Sequence, residues 1–384
     1  MDWTSFPEDV VEEILSWVPA KSVAQWRSTS KPWNALLKSR IFAQKHSANA
    51  PKEKSLVITL LDSRVCLVNF KFRGIHANEV VPSVEVAYTF NLTHGLSDTS
   101  QVGIINIFHC DGLLLCTTID NKLVVWNPCS GDTKWIKPRD SYKTSDYYAL
   151  GYDDKSSRKQ YKILRVGRQD MLPIKNEYEI YDLASDSWRV LGVATDWFLA
   201  SHRRGISVKG ITYWVATRRL KVNFLLSFDF STERFQSRPL PHPFPYSNAS
   251  LSVVGEEQLC LVGADRQYCM KGIYVRTEFQ VWVSTSTGWS KSLEVKGHND
   301  NKLSDGMVGF WAYEQNQVVM SVSSTNHIHH IVIENKHIQV DNLGGDSTCI
   351  PSCSVLLNFV PTLAQVSNKV NYLPGGRKRK APCT

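Results

Sequence analysis

The chain has no run of 18 apolar residues, and its mean hydropathy is −0.24, which excludes a membrane-spanning helix. Its opening, Met1-Asp2-Trp3, lacks the basic start and apolar stretch of a secretory signal, so none is expected. Its nine cysteines are odd in number and scattered, with no paired C-x-x-C units, which points to free thiols in a reducing compartment rather than a disulfide scaffold. On that reading Asn91-Leu-Thr93 and Asn248-Ala-Ser250 match the glycosylation pattern without being used. No Gly-x-Ser-x-Gly, Walker loop or dinucleotide fingerprint occurs. The net charge of +8 includes the run Arg377-Lys378-Arg379-Lys380; removing those four charges leaves +4 over the other 380 residues. That background gives no argument for a nucleic-acid groove.

Helical patterning is confined to the first 46 of the 384 residues. Ser5-x-x-Glu8 fits a capping box, with Pro7 in the first turn. Val10, Val11, Ile14, Leu15 and Val18 then share one helix face, and Pro19 ends the helix. Ser22 is positioned to cap a second helix carrying Val23, Trp26 and Arg27. Pro32 opens a third, with Trp33, Leu36, Leu37 and Ile41 on one side. Three helices this short bury little alone, and the apolar surplus including Trp17, Trp26 and Trp33 predicts a partner surface.

Residues 47–54 read as a linker. Beyond them come short apolar runs rich in β-branched and aromatic residues, broken by Gly, Asn, Asp and Ser, which is an all-β pattern. A repeat runs through it. Val124-Val125-Trp126-Asn127-Pro128, Tyr178-Glu179-Ile180-Tyr181-Asp182, Leu226-Ser227-Phe228-Asp229 and Val281-Trp282-Val283 are each followed by a turn and then by Trp135, Trp188, Phe235 and Trp289. A period near 50 residues with a hairpin in each unit predicts propeller blades, about six of them, with further units at Leu56–Phe72 and Val308–Leu343. The Asn or Asp after the aromatic is positioned to bond the turn backbone. A pair of β-sandwiches is the other architecture considered. The segment from residue 361, ending in the basic run after Pro374-Gly375-Gly376, reads as a disordered tail and a possible nuclear localisation signal.

Two resemblances follow from these residues. The order Phe6-Pro7 … Ile14-Leu15 … Pro19 … Val23 … Trp26 … Trp33 resembles the F-box, a short helical module that docks on the Skp adaptor of cullin-based ubiquitin ligases. Gln25, Ser28-Thr29 and Trp17 depart from that family's usual residues. Cys110-Asp111-Gly112-Leu113-Leu114-Leu115-Cys116 with Val124–Pro128 resembles the signature of the plant F-box-associated, kelch-like domain. Gly151-Tyr152-Asp153, Tyr161–Arg165 and Gly210–Trp214 continue that family's order.

The resemblance implies an α+β multidomain chain: a three-helix F-box over 1–46, a linker over 47–54, an all-β kelch-like propeller over 55–360 and a basic tail over 361–384. It implies that Phe6, Pro7, Ile14, Leu15, Pro19, Val23, Trp26 and Trp33 contact the adaptor or frame that contact. It further implies a non-catalytic substrate receptor of a Skp–cullin–F-box ligase, with cullin reached through the adaptor, an unidentified target protein, and residence in cytoplasm or nucleus. Neither nucleic acid nor membrane is an expected partner, and no cofactor is expected. The alternatives are a propeller working outside any ligase and a propeller enzyme.

For the target, Trp197, Phe198, Arg203, Arg204, Arg218 and Arg219, with Arg238 and Tyr246 nearby, are candidates to line one face of the propeller, because Arg and aromatics anchor interfaces. His327-x-His329-His330, with His337 across a turn, has no adjacent Cys, Asp or Glu to complete a metal site. Cys110-x5-Cys116 and Cys349-x3-Cys353 do not have zinc spacing, and Asp153-Asp154 beside Lys155–Lys159 reads as a solvated hairpin tip.

Overall fold

A computed structural model describes residues 7–26, 31–37, 39–51, 56–71, 83–94, 100–139, 146–155, 159–167, 176–194, 196–199, 204–218, 222–242, 248–254, 257–268, 274–298, 307–314, 317–322, 329–333, 336–340 and 356–366. The helical part has four segments rather than three: α1 (Glu8–Ser16), α2 (Ala20–Gln25), α3 (Lys31–Leu37) and α4 (Arg40–Asn49). Ile41 does not extend the third helix. Ser39 breaks it and caps a fourth, its Oγ accepting from the Phe42 N–H at 3.4 Å. Helix α4 therefore runs into the stretch expected to be linker.

Two other expectations at the helix starts change. Pro7 is the N-cap of α1, with no side-chain capping bond, and Ser5 lies outside the described residues. Ser22 sits inside α2 rather than ahead of it. Helix α4 is fastened to α1. His46 Nε2–H donates to the Val18 carbonyl at 2.8 Å, Asn49 Nδ2 donates to Ser16 Oγ at 2.9 Å, and Lys45 pairs with Glu13 at 2.7 Å. Leu15, Ala20, Val23, Leu37 and Phe42 are buried between the helices, in an apolar cluster that continues into Ile58, Leu60 and Leu363.

The described residues beyond the helices form six antiparallel sheets. The second consists of β4 (Ile104–Cys110), β5 (Leu113–Thr118), β6 (Leu123–Trp126) and β7 (Thr133–Ile136) in order. The third is β8 (Tyr147–Asp153) to β11 (Ser187–Ala194), through β9 (Gln160–Gly167) and β10 (Asn176–Asp182). In the fourth, β12 (Trp197–Phe198) and β13 (Ile206–Val208) both pair with β14 (Ile211–Arg218), followed by β15 (Asn223–Asp229) and β16 (Arg234–Arg238). The fifth is β17 (Asn248–Val254), β18 (Gln258–Tyr268), β19 (Tyr274–Thr285) and β20 (Gly288–His298). The sixth is β21 (Met307–Glu314), β22 (Gln317–Val322), β23 (His329–Ile333) and β24 (Lys336–Val340).

The first sheet joins the two ends of the chain. Its strands β1 (Leu56–Leu61), β2 (Arg64–Lys71) and β3 (Ser83–Phe90) are completed on the inside by β25 (Leu357–Phe359), which pairs antiparallel with β1. The inner strands β25, β4, β8, β13, β17 and β21 each lie beside the next and close a ring. Strands β5, β6 and β15 read as continuous apolar runs because each sheet is covered by neighbours on both sides. Outer strands such as β16 are mostly exposed.

The sequence repeat maps onto this ring. Trp126, Tyr181, Phe228 and Trp282 lie on the third strand of their sheets, and Trp135, Trp188, Phe235 and Trp289 on the outer strand. Tyr181 stands opposite Trp188, and Phe228 opposite Phe235. The turn device repeats as well. Asn127 Oδ1 accepts from the Cys129 and Ser130 N–H groups, Asp182 Oδ1 from those of Ala184 and Ser185, and Asp229 Oδ1 from those of Ser231 and Thr232.

The closing segment extends beyond the expected domain end at 360. Residues 361–366 are packed on the propeller, with Leu363 and Val366 buried, because Asn127 grips them as well. Its Nδ2 donates to the carbonyls of Thr362 at 3.0 Å and Ala364 at 2.7 Å. An aspartate, as in the third and fourth sheets, makes the turn but has no N–H for this second task.

Candidate functional site: an exposed helical stripe and two unlike propeller faces

Helix α1 presents its apolar residues in two directions. Leu15 faces inward and is fully buried, and Val23 of α2 joins it. Pro7, Val10, Ile14 and Trp17, spaced by three, four and three residues, form a stripe facing solvent. Val10 is 39% exposed, Ile14 43% and Trp17 59%, and Ile41 at the start of α4 reaches 73%. Large apolar side chains grouped at such exposures mark an unfilled interface. Trp26 and Trp33 are half-buried and packed on one another, ring centroids 5.8 Å apart. Pro19 is partly buried, and Phe6 lies outside the described residues.

The expected adaptor set thus divides. Pro7 and Ile14 are on the surface, whereas Leu15 and Val23 are core residues with no surface to offer. Val10 and Ile41 were not among the expected contacts, and Trp17 was expected only as part of the apolar surplus that predicts a partner surface. Their signal is present in the sequence as the 7, 10, 14, 17 spacing, but a helix with apolar residues on two sides does not reveal which side stays uncovered.

The propeller has two unlike ends. Tight turns such as Asp111-Gly112, Asp182–Asp186 and Lys209-Gly210 gather at one. The opposite ends of the strands, such as Gly167 of β9, Asn176 of β10, Tyr268 of β18 and Tyr274 of β19, lie at the other. Strand β1 begins at the turn end, where Leu56 pairs with Phe359, so the helices join the propeller on the turn face.

On the turn face Asp111 and Gly112 both have positive φ (+54° and +76°), forming the two-residue hairpin turn that suits an Asp-Gly pair. The Asp111 carboxylate accepts from Lys159 Nζ at 2.8 Å and from the Tyr161 hydroxyl. Burial, together with that carboxylate, pushes the Tyr161 phenol well above its usual range. His109 Nε2 accepts the Gly112 N–H at 3.0 Å. Burial lowers the His109 pKa to about 4, so the ring is neutral.

Across the centre, Arg204 Nη1 donates to Asn106 Oδ1 at 2.6 Å, Ser207 Oγ to Cys110 Sγ at 3.2 Å, and Asn358 Nδ2 to the Val253 carbonyl at 2.6 Å. These bonds stitch the inner strands together.

Of the residues expected to grip a target, the described ones do not form one patch. Trp197 is buried against Phe235 at 5.1 Å and is a core residue, because β12 pairs with the end of β14 as an inner strand. Phe198 beside it is half-buried. Arg204 is committed to Asn106. Arg218 lies over the Phe224 ring at 4.5 Å and donates to Ser237 Oγ at 3.2 Å. Arg203, Arg219 and Tyr246 lie outside the described residues, and Arg238 is exposed on β16.

Among the described residues no group of three His, Cys, Asp or Glu could hold a metal ion, and no helix is long and apolar enough to cross a membrane. His327, Cys349 and Cys353 fall outside the described residues, as do the side chains of His329, His330 and His337. Cys66, Cys110, Cys116, Cys129 and Cys260 are buried free thiols. Burial pushes Cys110 and Cys260 up to about 12, which leaves them unreactive at neutral pH.

A small helical module with an uncovered apolar stripe, carried on a closed propeller, defines the class of propeller proteins that carry a helical module with an unfilled apolar surface. Comparison with known proteins places it within that class. The F-box domain family matches residues 3–45, and the F-box associated beta propeller domain family matches residues 56–366. The chain belongs to the F-box proteins that carry this propeller. It is similar to one Arabidopsis thaliana F-box protein at 49% identity over 377 residues, covering 95% of this chain and 100% of the relative. An F-box/kelch-repeat protein of the same plant is 34% identical over 399 residues, covering 94% of this chain and 99% of its own. The solved structure of YjhT aligns at a TM-score of 0.41 and 10% identity over 70% of this chain and 87% of that one, a likeness that carries no argument.

Proposed function

We propose that this chain is the substrate receptor of a Skp–cullin–F-box ubiquitin ligase and recruits a target protein for ubiquitination and degradation. The observation that carries the reading is the solvent-facing stripe Pro7–Val10–Ile14–Trp17 inside the segment that matches the F-box family. The stripe docks on a Skp-family adaptor, which joins the chain to cullin. The target is read by the face of the propeller opposite the helices, so the two partners do not compete for surface. The receptor does no bond chemistry. Holding a target beside the conjugating enzyme raises the effective concentration of its lysines. The basic run Arg377–Lys380 lies beyond the last described residue, Val366, and serves as a nuclear signal, with the protein working in nucleus and cytoplasm.

The test is binding of the full chain to a purified Skp-family adaptor. Ile14→Asp is expected to weaken binding by about 2 kcal/mol or more, as loss of an interface anchor does, without moving the urea midpoint. Unchanged affinity would remove the stripe as the docking surface. No binding by the natural chain would leave a propeller that works outside a ligase.

A further inference from the structure

The ring closes through two pieces of the last described segment. Strand β25 completes the first sheet, and residues 361–366 then cross the turn face to the second. There Thr362 Oγ1 donates to the Asp111 carbonyl at 3.0 Å, Asn127 Nδ2 holds the Thr362 and Ala364 carbonyls, and Asp132 Oδ2 accepts from the Val366 N–H at 2.8 Å. Leu363 belongs to the apolar cluster of the first two sheets, and Val366 to the cluster of the second, third and fourth. Gly112 leaves room for this crossing, since a Cβ there would sit 2.1 Å from Thr362 Oγ1.

The other seams with described side-chain ties are pinned directly. Between the second and third sheets the Trp188 indole N–H donates to the Lys137 carbonyl at 2.8 Å, and Lys134 Nζ to the Leu183 carbonyl at 2.9 Å. Between the third and fourth, Lys162 Nζ reaches Glu233 at 2.9 Å and the Phe230 carbonyl at 3.3 Å. Between the fourth and fifth the Trp289 indole donates to the Pro239 carbonyl at 3.3 Å. At the first seam the corresponding tryptophan is Trp135. Its buried indole N–H has no acceptor among the described residues, and its ring stacks on His94 at 4.7 Å. Backbone bonds there run from the Ile104 N–H to the Ser63 carbonyl at 2.8 Å and from the Val102 N–H to the Leu92 carbonyl at 2.9 Å, and the Phe90 and Trp126 rings meet edge-on at 6.2 Å.

We propose that residues 361–366 are a releasable clasp over the first seam. With the clasp docked at Asn127 the ring is closed. With it released, the first sheet and the helices that precede it separate as a unit from the other five sheets. The device makes the placement of the N-terminal helices depend on residues 361–366. It does not depend on the receptor reading.

Amide hydrogen exchange, segment by segment, tests it on the full chain, a chain ending at Val366, a chain ending at Val360, and full-length Asn127→Asp. Asn127→Asp keeps the turn bonds that Asp182 and Asp229 make and loses only the donors to the clasp. The chain ending at Val360 and Asn127→Asp are expected to exchange at least tenfold faster in β1 and β25 with β9, β14 and β18 unchanged, and the chain ending at Val366 is expected to match the full chain. Unchanged exchange at β1 would overturn the proposal, as would equal acceleration in all sheets. If the chain ending at Val360 does not fold, Asn127→Asp decides by the same criterion.

Discussion

Replacing His109 with glutamine should flatten the acid side of this protein's stability profile. His109 Nε2 accepts the Gly112 N–H, and its ring lies 5.5 Å from Phe359 of the closing strand. Burial disfavours the charged ring, against a smaller opposing pull from the Asp111 carboxylate, so the folded pKa falls from 6.5 to about 4. The unfolded chain therefore takes up the proton first as pH drops. Stability is fully present above about pH 6.5 and is lost as pH falls from there through 4, by about 3 kcal/mol in all at 1.36 kcal/mol per pH unit. At pH 5.0 the loss relative to pH 7.5 is about 2 kcal/mol. Glutamine can accept the same N–H through its amide oxygen without titrating. Urea unfolding of both proteins at pH 7.5 and 5.0 measures the difference, and other titrating groups cancel in the comparison. If the two proteins lose the same stability between those pH values, His109 is not held neutral by its surroundings and the reasoning fails.

Three further outcomes follow from the packing. Gly112→Ala should cost about 2–4 kcal/mol in urea unfolding, because φ is +76° and the added methyl displaces Thr362, whose hydrogen bond is then lost. Leu15→Ala should destabilise the helices by about 2–5 kcal/mol, seen as an early melting phase, so any adaptor binding it loses is lost through folding rather than contact. In native protein at pH 7.5, Cys66, Cys110, Cys116, Cys129 and Cys260 should resist labelling by an aromatic disulfide until urea unfolds the sheets, as a mass map of the labelled peptides would show.

The sequence by itself determined the change from a helical period to short β runs near residue 50, the repeat of an aromatic, an Asn or Asp, a turn and a second aromatic, and the sheets it builds. These are local signals. A turn needs an acceptor two residues before its N–H groups, and a strand covered on both sides needs an unbroken apolar run, so each is written within a few residues. The fourth helix was less legible because Ser39 interrupts an apolar spacing that would otherwise run on to Ile41.

Only the tertiary structure decided which apolar face of α1 is left uncovered, that Trp197 and Leu15 are core residues, and that Asn127 serves a segment more than 200 positions away as well as its own turn. Each of those depends on which distant chain arrives at a surface. Burial and long-range hydrogen bonds are properties of a pair of surfaces, and a one-dimensional pattern contains only one of the two.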